Sequence, residues 1–102
     1  MIKWADYLIS SVRFEKTESI KYISHVKVSE DKGQEITKAE IWTKNKVIKA
    51  IDNGKTFKTI AMGNNEWIVC EPVFKEWITD DYYLKTKVNN SKNCEIDNLP
   101  TF

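Results

Sequence analysis

The sequence predicts a small α+β protein: a curled antiparallel sheet or open barrel of five to six strands, with one helix packed on it. Three observations carry that expectation. Runs of alternating apolar and polar residues recur along the chain, the period of a strand with one buried face. Only one stretch sets apolar residues three or four apart behind a capping residue, the mark of an amphipathic helix. Finally, 102 residues suit one domain with one core and leave no length for a second.

Tyr7 to Phe14 opens the pattern, with Leu8, Val12 and Phe14 on one parity and so expected on one buried face. Glu15-Lys16-Thr17-Glu18-Ser19 is a polar turn. Ile20 to Glu30 then alternates, with Ile20, Tyr22, Val26 and Val28 on one side and Lys21, His25 and Lys27 on the other. Two such runs joined by a short polar link predict an antiparallel hairpin. Asp31-Lys32-Gly33-Gln34 turns the chain again, into a strand around Ala39 to Trp42.

Thr43 is the best helix start in the chain, because its hydroxyl can accept from the first free amides. Val47, Ile48 and Ile51 then form one apolar stripe over Thr43 to Asn53, and Gly54 supplies the left-handed position that ends a helix. Thr56 to Met62 reads as a strand, Gly63-Asn64-Asn65 as a turn, and Glu66 to Val73 as a strand bounded by Pro72. Tyr82 to Val88 is the last strand, which leaves Trp77 in an irregular stretch before it. The expected organisation is one domain over 1–88 and a polar tail over 89–102. That tail reads as mobile up to about Glu95, and its final six residues dock through Leu99 and Phe102.

Composition bounds the function. Apolar residues are 41% and charged residues 30%, ordinary for a soluble globular chain. Lys and Arg number 16 against 15 Asp and Glu, so no global field draws the protein to nucleic acid or membrane. Asp6 interrupts the first residues, and no apolar run approaches the ~20 residues of a membrane helix. Cys70 and Cys94 make no disulfide framework. A reduced, cytoplasmic protein is expected.

Several chemistries fall away on spacing. Gly54-Lys55-Thr56 resembles the end of a phosphate loop, but the position five before Gly54 is Lys49, and the helix precedes the glycine instead of following it. His25 is the only histidine and has no cysteine or carboxylate at ligand spacing, so no metal site is expected. Cys70 lies in an apolar run, where a thiol acts as a small buried hydrophobe, although a pair with His25 on a neighbouring strand is conceivable. Glu30-Asp31 and Asp80-Asp81 fall where turns are expected and support backbone there. An enzyme, and with it any cofactor, is therefore not expected.

Aromatic residues are the compositional oddity, at 12% with four Trp. Four indoles crowd the small core of such a domain. Trp42, Trp67 and Trp77 stand near element ends, where a ring can serve a cleft rim. Arg13, Lys44 and Lys46 can supply charge beside them, although a solvated helix face is the favoured reading of Lys44, Lys46 and Lys49. Basic residues adjoin aromatics at Arg13-Phe14, Lys21-Tyr22 and Phe57-Lys58, but strand neighbours point to opposite faces.

Three segments also suggest a family. Tyr7-Leu8-Ile9-Ser10-Ser11-Val12-Arg13, Ala50-Ile51-Asp52-Asn53-Gly54 and Asp97-Asn98-Leu99-Pro100-Thr101-Phe102 resemble a bacterial and phage family catalogued as domain of unknown function 3892. Its members open with Ile-x-x-Val-Arg and often close with Asn-Leu-Pro-x-Phe. The resemblance spans nearly the whole chain and brings no catalytic residues with it. It implies a small single-domain protein of phage or mobile-element neighbourhoods, where such proteins often act by binding.

The resulting expectation is a non-catalytic binding module. Its concrete form is a phage-type antagonist of a bacterial defence system, which occludes a host protein or sequesters a nucleotide-like signal. Arg13, Trp42, Lys44, Lys46, Trp67 and Trp77 are the candidate contact residues. A small nucleic-acid-binding protein is the alternative, although nucleic acid is not the expected partner, and an enzyme using Cys70 comes last. No membrane partner is expected, and a homo-oligomer stays open.

Overall fold

The hairpin that opens the chain joins β1 (Tyr7–Lys16) and β2 (Lys21–Glu30), antiparallel strands of ten residues each. Four more strands follow: β3 (Glu40–Thr43), β4 (Phe57–Gly63), β5 (Glu66–Ile78) and β6 (Asp81–Thr86), with α1 (Lys44–Asp52) between β3 and β4. A computed structural model describes residues 4–18, 21–33, 35–63, 66–78, 81–86 and 95–102, without the side chains of 62, 63, 66, 67, 70 and 98. The stretch 87–94, with Cys94, and Asp80 lie outside the described residues. Strand order is β3-β2-β1-β4-β5-β6, a sheet that does not close, and among the described residues one α-helix lies against it. This is the expected α+β class.

The pairing between β1 and β4 departs from an antiparallel sheet. β4 runs parallel to β1 over Tyr7–Ile9. Parallel neighbours need a crossover, and the path through β3 and α1 returns the chain in the direction of β1.

Parity along β1 also changes where the sequence implied continuity. An irregularity between Ile9 and Ser11 shifts the register, so Leu8 and Val12 join different clusters. Leu8 packs with Ala5 and Ile60, while Ile9 and Val12 enter the main core with Val26, Val28, Phe57, Val73 and Leu84. An inserted residue in one strand has this effect, because it moves every later side chain to the other face.

Pro72 does not end its strand. β5 pairs with β4 as far as Pro72 and with β6 from Val73 onward, so the proline stands where the strand changes partner. A residue without an N–H is tolerated at that hand-over, which needs no donor from it. Trp77 consequently lies on β5, opposite Tyr82, and not in an irregular stretch.

The helix forms where expected. Thr43 caps it by accepting from the Lys46 amide at 3.2 Å, and Gly54 just beyond its end has φ +87°. Val47 and Ile48 are buried in the main core, and Ile51 is half-buried beside them.

The C-terminal residues complete the sheet beside β1. Because β4 covers only Tyr7–Ile9, the later edge of β1 is free to pair. The Val12 amide donates to the Pro100 carbonyl at 2.9 Å, and the Phe102 amide donates back to the Val12 carbonyl at 3.1 Å. The preceding turn, Ile96–Asn98, buries Ile96, and Leu99 is 3% exposed in the same core. Asp31 fastens the other terminus: its buried carboxylate accepts from the amides of Trp4, Ala5 and Gly33. Among the described residues no helix is long and apolar enough to cross a membrane.

Candidate functional site: an aromatic cleft beside β3

Register places one set of side chains together. Tyr7 lies opposite Glu30, Val28 opposite Glu40 and Val26 opposite Trp42. Alternation puts all of these on the face that carries the main core. Where the core ends, an open cleft of about 320 Å³ remains, lined by Tyr7, Val28, Glu30, Thr37, Lys38, Glu40 and Trp42.

Its aromatic wall is a cluster of three rings. Tyr7 and Trp42 have centroids 4.9 Å apart at a tilt of 56°, and Phe57 stacks behind Tyr7 at 5.1 Å. The Trp42 ring also meets Phe57 edge-on. Opposite, Thr37 is tied to β2 by its amide, which donates to the Glu30 carbonyl, and by its hydroxyl, which accepts from the Glu30 amide at 2.8 Å. This holds Lys38 and the approach to β3 in place without using the Glu30 carboxylate.

Trp42 carries an unusual feature. Its Nε1–H is buried and has no hydrogen-bond partner among the described residues. A buried donor left unpaired costs about 1–3 kcal/mol.

The structure brings Trp42 and Lys46 together, with the Lys46 ammonium 4.2 Å from the indole centroid. The other candidates stand apart from the cleft lining. Arg13 is exposed and lies over the Phe102 ring at 4.9 Å. Trp77 is 58% exposed at the far end of β5, edge-on to Tyr82 at 5.0 Å. Trp67, on β5, pairs with Met62 of β4, and its side chain lies outside the described residues.

Lys44 corrects the idea of a solvated helix face. It is 8% exposed, its Nζ donates to Asp81 at 2.8 Å, and the Tyr22 and Tyr83 rings lie 5.3 and 4.8 Å away. The first helical turn carries this lysine inward, across to β6, while Lys46 and Lys49 stay exposed. The Lys44 hydrogen bond, helped by the Tyr82 amide, holds the Asp81 carboxyl below its ordinary range. Hydrogen bonding also raises the Tyr22 hydroxyl, which donates to Glu15, and the Lys75 ammonium, which pairs with Asp52.

The cleft acids were not candidates from sequence. Glu30 read as half of a turn pair, and Glu40 had no motif around it. Only the register of three strands makes them neighbours. Asp31, the other half of that pair, serves the backbone as its turn position implied. His25 is half-buried, with Nδ1 2.9 Å from the Ser24 hydroxyl. Among the described residues no group of three or more His, Cys, Asp or Glu is placed to hold a metal.

No protein-family model, no curated protein and no solved structure matches this chain.

Proposed function

We propose that this protein is a non-catalytic binding module whose working site is the cleft walled by Tyr7 and Trp42. One observation carries the reading: two aromatic rings border an open cavity of about 320 Å³ ringed by ionisable side chains. That volume stands at the small end of the ~300–1,000 Å³ usual for ligand sites. It suits a small molecule or a single side chain of a partner protein.

An anti-defence antagonist is the concrete form of the proposal, acting on a host protein or a nucleotide-like signal. Two features of the cleft weigh between those occupants. Aromatic walls suit either a base or a side chain. Glu30 and Glu40, however, repel phosphate, which favours the host protein.

The test is tryptophan fluorescence titration with cyclic and ADP-ribose-type nucleotides, alongside pull-down from host lysate with identification of the captured protein. Glu40→Lys, an exposed change that leaves the rings alone, should abolish the partner or ligand found. Retention of every partner and ligand by Glu40→Lys and by Trp42→Ala would remove the cleft from the function.

A further inference from the structure

We infer that the cleft selects a cationic group, an ammonium or guanidinium, presented by a partner's side chain or by a small organic cation. The inference rests on the cleft being the working site, and it adds the chemistry of the occupant.

This protein treats its own cations in a recurrent way. Lys44 shows the arrangement in full: one ammonium, two rings (Tyr22 and Tyr83) and one carboxylate (Asp81). The rings attract the cation through their negative π-faces, and the carboxylate supplies the opposite charge. Lys75 repeats the pattern with the Tyr82 ring at 4.2 Å and Asp52. Other rings are capped by a cation: Phe14 by Lys21, and Phe102 by Arg13 and Lys27.

The cleft presents the same parts around open space. Tyr7 and Trp42 are the two rings, and Glu30 and Glu40 are the two carboxylates. Among the described residues Lys38 is the single basic one of the lining, set against the two carboxylates. Lys46 caps Trp42 but is not part of the lining, and among the described residues no cation lies over the Tyr7 ring. Among the described residues neither Glu30 nor Glu40 has a side-chain ion pair, so their charge is available to a ligand. A phosphate-bearing ligand meets the like charges of Glu30 and Glu40 against the one lining cation Lys38, whereas a guanidinium meets complementary charge from the same pair beside the aromatic wall.

The experiment uses the full chain, labelled with ¹⁵N, and follows the Trp42 indole N–H resonance, assigned by its loss in Trp42→Phe. Four probes are titrated: N-acetyl-arginine amide, its neutral near-isostere N-acetyl-citrulline amide, adenosine monophosphate, and the pentapeptide Gly-Ser-Arg-Ser-Gly. The arginine amide should shift the Trp42 resonance and bind at least about fivefold more tightly than the citrulline amide. The double variant Glu30→Gln, Glu40→Gln should remove that preference while keeping the fold, because both side chains are exposed. A pentapeptide tighter than the amide supports a partner's side chain, and equal binding supports a small cation. Citrulline binding as tightly as arginine, or adenosine monophosphate binding more tightly, would overturn the charge selection and leave the cleft as a site. Silence of the Trp42 resonance to all four probes would overturn both.

Discussion

Arg13 and Phe102, 89 positions apart in the chain, meet in direct contact: the guanidinium lies 4.9 Å from the ring centroid, and Nε donates to the Phe102 carbonyl at 3.4 Å. The Lys27 ammonium sits 5.0 Å from the same ring. Main-chain bonds join Val12 to Pro100 and Phe102 alongside. The Ile9-to-Arg13 segment and the Asn98-to-Phe102 segment are therefore one structural unit, with the second completing the edge that β4 leaves on β1.

Apolar burial, more than the cation–ring contact, should hold that unit together. Leu99 is buried in the main core, so Leu99→Ala should cost about 2–5 kcal/mol. Arg13 is exposed, and Arg13→Ala should cost less than about 1 kcal/mol. Urea denaturation of the two variants checks the ranking, and equal losses would show that the tail is held by its charge contacts.

The helix face makes a second comparison. Ile48→Ala removes a buried side chain from the core and should cost about 2–5 kcal/mol. Lys49→Ala, on the exposed side, should change stability by less than about 0.5 kcal/mol. Thermal unfolding with calorimetry separates them, and a larger loss for Lys49→Ala would place the wrong face inward.

Much of this architecture is legible in the residues, and the exceptions have physical causes. Alternation in β1 and β2 and the Thr43 cap foretell the hairpin and the helix, because both signals are local. Leu8 is misplaced because an extra residue in a strand leaves no mark on composition. Pro72 looks like an end because a strand that changes partner midway is visible only in three dimensions. Lys44 looks solvated because its counter-charge, Asp81, arrives from a strand 37 positions later. The same holds for the rings. Basic and aromatic neighbours in sequence do not meet, but Lys21 reaches Phe14 and Arg13 reaches Phe102 across strands. Trp42 was legible as a candidate from its place before the cap. Glu30 and Glu40 were not, since their proximity is a property of register.

Acid should loosen the clasp between α1 and β6. Asp81 has its carboxyl lowered in the folded protein by the Lys44 hydrogen bond, from an ordinary value of 3.8. A depressed folded value means the contribution is present above the unfolded value and lost as pH falls through the folded one. Thermal midpoints measured between pH 6 and pH 2 should therefore fall less steeply for Asp81→Asn than for the natural chain. Parallel acid limbs would mean that the pair contributes nothing through ionisation.

The central claim is that the cleft between β1, β2 and β3 is where this protein binds. Amide chemical-shift mapping with the arginine amide tests it most directly, since every non-proline backbone amide reports at once. The account predicts shifts concentrated at Tyr7, Val28, Thr37, Lys38, Glu40 and Trp42, the residues around the cavity. Shifts centred on Trp77 and the β5–β6 pair, with the cleft amides unmoved, would contradict it.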